Sequence, residues 1–86
     1  MRRAARVDSN QAAIVATLRE AGYSVACGHD DILVGKDGRT LWVELKASEK
    51  KKTQLKPSQV KLLADWKGAY MVAASAEEIM DWEGWR

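Results

Sequence analysis

The stretch Asp31-Ile32-Leu33-Val34-Gly35-Lys36-Asp37-Gly38-Arg39-Thr40-Leu41-Trp42-Val43-Glu44-Leu45-Lys46 decides the reading of this chain. Asp37-Gly38 is a strong two-residue turn signal, because a type I′ turn needs positive φ at both central positions. With a regular turn Lys36 pairs with Arg39, and the ladder then brings Asp31 opposite Glu44. The two carboxylates share one face of the sheet, with Cβ atoms roughly 5 Å apart. Lys46, two residues beyond Glu44, points to that same face. Like charges set opposite each other destabilise a ladder. A divalent cation between them would turn the clash into a site.

The rest of the chain supplies elements around the hairpin. Ile14, Val15, Leu18 and Ala21 recur at helical spacing, so residues 8–21 read as a helix, capped by Asp8 or Ser9 and stopped by Gly22. Residues 23–27 alternate like a strand, and Gly28-His29-Asp30 reads as a turn. The hairpin strands lie near 31–35 and 40–47. Residues 48–56 are polar and basic, a loop by composition. Pro57 suits the first position of a helix over 57–67, with Val60, Leu62, Leu63, Ala64 and Trp66 on its apolar side. Residues 69–74 form a short apolar run, a buried strand. Ser75-Ala-Glu-Glu78 is a capping box for a last helix carrying Ile79 and Trp82. The order is α-β-β-β-α-β-α, and the intervening helix lets the third and fourth strands lie parallel.

Length and composition set the bounds. Eighty-six residues make one small domain over 1–86, with a core at about 8–82 and a basic arm at 1–7. There is no 18-residue apolar run, so no membrane span is expected. The basic start, Arg2-Arg3 with Arg6, has no apolar region behind it and does not read as a secretory signal. A single cysteine, Cys27, excludes an internal disulfide, and with one histidine, His29, it makes a structural zinc site a poor fit. Any metal here would take oxygen ligands.

Net charge is only +2, so the chain is no polycation, but its charges are segregated. Lys46, Lys50, Lys51, Lys52 and Lys56 follow the Glu44 strand, Arg2, Arg3 and Arg6 form a second cluster, and Glu77, Glu78, Asp81 and Glu83 make the C-terminus acidic. A basic stripe beside a carboxylate pair points to a polyanion held next to a metal. The plainer alternatives are a solvated lysine loop, and Glu44 and Lys46 as exposed polar positions of a half-solvated sheet. Asp30 competes with Asp31 as a ligand, but strand alternation would turn it to the opposite face.

Asp31, then Glu44-Leu45-Lys46 after a hairpin, within an α-β-β-β-α-β order, resembles the PD-(D/E)XK nuclease superfamily. Leu55-Lys-Pro57-Ser58-Gln59 and Gly68 through Glu78 resemble its small VRR-NUC domain. Leu18-Arg-Glu-Ala-Gly22-Tyr23, with Arg2-Arg3, is similar to archaeal-type Holliday-junction resolvases. The likeness covers about residues 8–82. It implies an α/β, restriction-endonuclease-like core, a mixed sheet flanked by helices, and a short C-terminal helix.

It also implies roles. Asp31, Glu44 and the Leu45 carbonyl would bind Mg²⁺ or Mn²⁺, hard ions that prefer such ligands and keep several waters. A deprotonated water would attack a phosphodiester. Lys46 would orient that water or stabilise developing charge, and Gln59 would brace the site. Where related nucleases carry a Glu on the first helix as an outer ligand, this chain has Gln11, with Asn10 as the neighbouring option. The implied function is a metal-dependent DNA endonuclease acting on branched or four-way junction DNA. Arg2, Arg3, Arg6, Lys50, Lys51, Lys52 and Lys56 would contact DNA. A homodimer would supply paired cuts, and the expected setting is the cytoplasm, bacterial or phage-encoded. The alternatives are a non-catalytic nucleic-acid-binding module using the same basic face and a protein-interaction adaptor. Cys27 and Trp66 are expected in the core, His29 in a loop, Trp42 in the core or at DNA, and Trp82 and Trp85 at a dimer interface or against the sheet.

Overall fold

The computed structural model describes residues 4–28, 31–48 and 57–86, with side chains from residue 10 onward. The elements run α1 (Ala4–Glu20), β1 (Ser24–Cys27), β2 (Asp31–Lys36), β3 (Arg39–Leu45), α2 (Pro57–Asp65), β4 (Tyr70–Ala73) and α3 (Ala76–Met80), followed by a 3-10 turn at Glu83–Trp85. The four strands form one mixed α/β sheet in the order β1-β2-β3-β4. β1, β2 and β3 are successively antiparallel, and β3 lies parallel to β4 across the α2 connection. Among the described residues no helix is long and apolar enough to cross a membrane.

The turn chemistry sets the register. Asp37 and Gly38 both take positive φ, 55° and 80°, and Lys36 pairs with Arg39. The ladder then proceeds without a bulge to Asp31 opposite Glu44. One face of the sheet, carrying Ile32, Val34, Leu41, Val43, Leu45 and Ala73, packs on Ile14, Val15 and Leu18 of α1 and on Ala76 and Ile79 of α3. Burial of aliphatic side chains of this size contributes about 1.5–3 kcal/mol each, which makes this layer the main source of stability. The opposite face carries Asp31, Leu33, Trp42 and Glu44.

Helix α1 begins four residues before the sequence-based start at residue 8. Ala4, Ala5 and Arg6 are good helix formers, so the backbone stays helical through Asp8 and Ser9, and neither residue is the cap. Its end is as expected. Gly22 takes φ 98°, while the N–H groups of Gly22 and Tyr23 donate to the Arg19 and Leu18 carbonyls at 3.1 and 3.0 Å. At α3, the Ser75 hydroxyl accepts from Glu78 N–H at 3.3 Å, and the Glu78 carboxylate accepts from Ala74 N–H at 2.8 Å, one residue before the cap.

Four expectations need correction. Cys27 is exposed because β1 is an edge strand. Helix α2 has an apolar side, but buries no residue: Val60, Leu62 and Leu63 all remain exposed. Trp66 lies just past α2 and is 41% exposed rather than in the core. On β4, only Ala73 is fully buried, since β4 is the other edge. Trp82 and Trp85, by contrast, pack intramolecularly against the core layer. Trp85 meets Tyr23 and Trp82 edge-on at 5.3 and 4.8 Å, and its indole N–H donates to the Ile79 carbonyl at 2.7 Å.

Candidate active site

The Asp31–Glu44 pair is of the closely spaced, non-hydrogen-bonded kind. Asp31 turns its carbonyl toward β1, where it accepts from Gly28 N–H at 2.8 Å. On β3, the N–H groups of Trp42 and Lys46 both donate toward β4, to the Ala69 and Ala73 carbonyls at 3.2 and 2.9 Å, and Glu44, between them in the alternation, faces the same way. Neither Asp31 nor Glu44 therefore directs its backbone at the other, the arrangement in which Cα atoms approach to about 4.5 Å and side chains are nearest. The same alternation turns the Leu45 N–H and C=O to the β2 side of β3, the side on which Asp31 stands.

Glu44 is 5% exposed, the one buried charged residue among the described residues. A buried carboxylate is costly unless partnered, and its partners come from two elements. Gln59 on α2 donates from Nε2 to Glu44 Oε2 at 2.5 Å and accepts at Oε1 from Lys46 Nζ at 3.4 Å. Lys46 Nζ lies 3.8 Å from the same Glu44 oxygen. The Gln59 amide thus links the carboxylate and the ammonium, giving each the end it requires. A glutamate at 59 would have no donor for Glu44, and a leucine would serve neither group.

Asp31 is held by a residue that the sequence reading did not connect to it. Trp42 Nε1 donates to Asp31 Oδ2 at 2.8 Å. Trp42 is paired with Leu33, so it is a diagonal neighbour of Asp31 on one face of the β2–β3 ladder. Once the register is known, that diagonal is a readable signal. The other Asp31 oxygen lies so close to Gly28 that a Cβ there would overlap it. Trp42 in turn meets Trp66 and Tyr70 edge-on, with ring centroids at 4.8 and 5.4 Å.

From α1, the amide that reaches this end of the sheet is that of Asn10, whose Nδ2 donates to the Lys46 carbonyl at 2.9 Å. Gln11 is half-buried and lines a groove with Ala12, Val15, Ala16, Arg19 and Cys27. Arg2, Arg3, Lys50, Lys51, Lys52 and Lys56, and the side chain of Arg6, lie outside the described residues, as do His29 and Asp30.

Two carboxylates and a backbone carbonyl are hard oxygen donors. Among the described residues no group of three or more His, Cys, Asp or Glu side chains converges. A Mg²⁺-sized ion needs less, because it is commonly held by one or two carboxylates and keeps several waters. The donor set fits that class of ion. Comparison with protein-family models, with curated proteins and with solved structures finds no match to this chain.

Proposed function

We propose that this chain is a Mg²⁺- or Mn²⁺-dependent endodeoxyribonuclease with a restriction-endonuclease-like core, of the VRR-NUC type within the PD-(D/E)XK superfamily. The observation that carries the proposal is the close pairing of Asp31 with Glu44 on the face to which Lys46 and Gln59 also converge. The resemblance of Asp31, Glu44-Leu45-Lys46 and Gln59 to that family's motif supports the same reading.

Asp31, Glu44 and the Leu45 carbonyl would hold the ion. When bound, it supplies Lewis acidity toward phosphoryl oxygens and lowers the pKa of water at the site. The protein's own groups do the rest. Trp42 fixes the Asp31 carboxylate through its indole N–H. Gln59 fixes Glu44 and steers Lys46. Lys46 brings a positive charge to the place where negative charge develops on the phosphate, a stabilisation favoured by its limited exposure. Recognition in so small a domain rests on phosphate contacts and DNA shape more than on base reading. Branched or four-way junction DNA, cut by a homodimer with Arg2, Arg3, Arg6, Lys50, Lys51, Lys52 and Lys56 at the phosphates, is the proposed substrate arrangement.

A second reading has one observation in its favour. Gln59 and Lys46 between them partner the Glu44 carboxylate from within the protein, which suits a non-catalytic nucleic-acid-binding module. A cleavage assay separates the two. Labelled single-stranded, duplex, flap and four-way junction DNA are incubated with Mg²⁺, with Mn²⁺ and with EDTA, beside a Glu44→Ala control. Metal-dependent cutting lost in Glu44→Ala is the expected outcome. Binding without cutting in either metal selects the module.

A further inference from the structure

Trp66 is at odds with its surroundings. It is 41% exposed, yet its ring is held from three sides. Its indole N–H donates to the Ala69 carbonyl at 3.1 Å. Gly68 sits so close that an added Cβ would lie 3.0 Å from each of Cε2, Cζ2 and Nε1. The Trp42 ring meets it at 4.8 Å and 82°. A large aromatic left in water forgoes burial, and immobilising it costs side-chain entropy. With the indole nitrogen engaged by Ala69, the side chain has only carbon left to offer a ligand.

The position of that surface matters as much as its rigidity. Trp42, which Trp66 touches, is the residue whose N–H holds Asp31. Trp66 is thus two side-chain contacts from the carboxylate pair. Leu33, paired with Trp42 and 44% exposed, extends the apolar surface on the same face of the sheet. Exposed Asp65 and Lys67 flank Trp66 in sequence, so its immediate neighbours carry no net charge and the ring itself is the feature that a ligand would meet. A fixed aromatic plane close to a phosphodiester site is an arrangement that binds unpaired nucleotides, because every base has a π-face.

From these contacts we infer that Trp66 is a stacking platform for an unpaired base next to the phosphate that Lys46 and an ion at Asp31 and Glu44 would hold. The inference rests on the nuclease reading for the identity of that phosphate. It narrows the substrate class to DNA with single-stranded or splayed nucleotides at the cut, such as flaps and open branch points. Inside a duplex both faces of each base are already covered by its neighbours, so along a duplex long enough for its two ends to count little the platform gains nothing.

The test measures binding in EDTA, where cleavage does not intervene. Fluorescence anisotropy follows a labelled oligothymidylate single strand and a blunt duplex against wild type, Trp66→Leu and Trp66→Phe. Stacking of one base corresponds to about a tenfold loss of single-strand affinity in Trp66→Leu, with duplex affinity unchanged. Trp66→Phe, which keeps a ring, retains most of the single-strand affinity and guards against a folding defect in Trp66→Leu. Equal losses on both DNAs, no loss on either, or no single-strand binding by the wild type would overturn the inference. So would conversion of a dimer to a monomer in Trp66→Leu with single-strand affinity intact, since the surface would then belong to a second copy seated on Val60, Leu62 and Leu63. Cleavage by wild type without any Trp66 dependence removes the platform alone. Trp66-dependent binding by a chain that never cuts leaves the platform and removes the nuclease.

Discussion

The indole N–H of Trp42 reaches diagonally across the β2–β3 ladder to Asp31 Oδ2 at 2.8 Å. A half-buried tryptophan thereby orients one carboxylate of the facing pair, while Gln59 orients the other. Trp42→Phe keeps much of the ring packing against Trp66 and Tyr70 but removes the donor. The expected loss of stability is about 1 kcal/mol, discounted for the partial exposure of Asp31, a fall of roughly 4–8 °C in Tm for a domain of this size. Groups that orient metal ligands commonly contribute about 10–100-fold in affinity or activity, so Mn²⁺ affinity and cleavage should fall by at least the lower figure. Calorimetric titration with Mn²⁺, alongside thermal unfolding, checks both.

Gln59 couples helix α2 to the sheet. The helix has nine residues and buries none of them, and isolated helices of that length are marginal in water. Gln59→Ala should therefore loosen α2 selectively. Amide exchange across residues 57–65 is expected to accelerate strongly, while the β2–β3 ladder keeps its protection. Uniform acceleration across the domain would instead mean that Gln59 supports the whole fold.

Two glycines make a controlled contrast. A Cβ at Gly28 would displace the Asp31 carboxylate, whereas a Cβ at Gly22 meets nothing within 4 Å and is disfavoured only by φ 98°. Gly22→Ala should cost about 1 kcal/mol or more in stability and leave divalent-ion affinity unchanged. Gly28→Ala should lower that affinity by more than its effect on Tm explains. Paired melting and Mn²⁺ titration of the two variants measures the difference.

Asn10 ties α1 to the end of β3 through the Lys46 carbonyl. Asn10→Leu should cost about 1 kcal/mol and lower cleavage by freeing the backbone that positions Lys46. Gln11→Leu, in the groove beside Cys27, should change stability by no more than about 0.5 kcal/mol. Thermal unfolding of the two variants side by side ranks them.

Much of the sheet was legible because it follows from local chemistry. Asp37-Gly38 admits one tight turn, that turn fixes Lys36 against Arg39, and the pairing of Asp31 with Glu44 follows by counting. Pro57, Gly22 and Ser75 mark their helix ends for equally local reasons. What sequence periodicity could not supply was depth. The apolar side of α2 has the right spacing for a core helix, yet spacing does not say whether an element packs closely enough to bury it. Cys27 and β4 are more exposed than their composition implies because each stands at a sheet edge, and edges follow from strand order. The bonds from Trp42 to Asp31 and from Asn10 to Lys46 depend on the diagonal reach of one side chain and the entry angle of one helix. Neither is written in a motif.

The central claim is that Asp31 and Glu44 act together as ligands of one divalent ion. Electron paramagnetic resonance of Mn²⁺ titrated into wild type, Asp31→Asn and Glu44→Gln tests it most directly. The expected result is one bound ion per chain in the wild type, lost in either variant while each keeps its folded circular dichroism spectrum. An ion that stays bound in either variant, or a wild type that binds none, would contradict it.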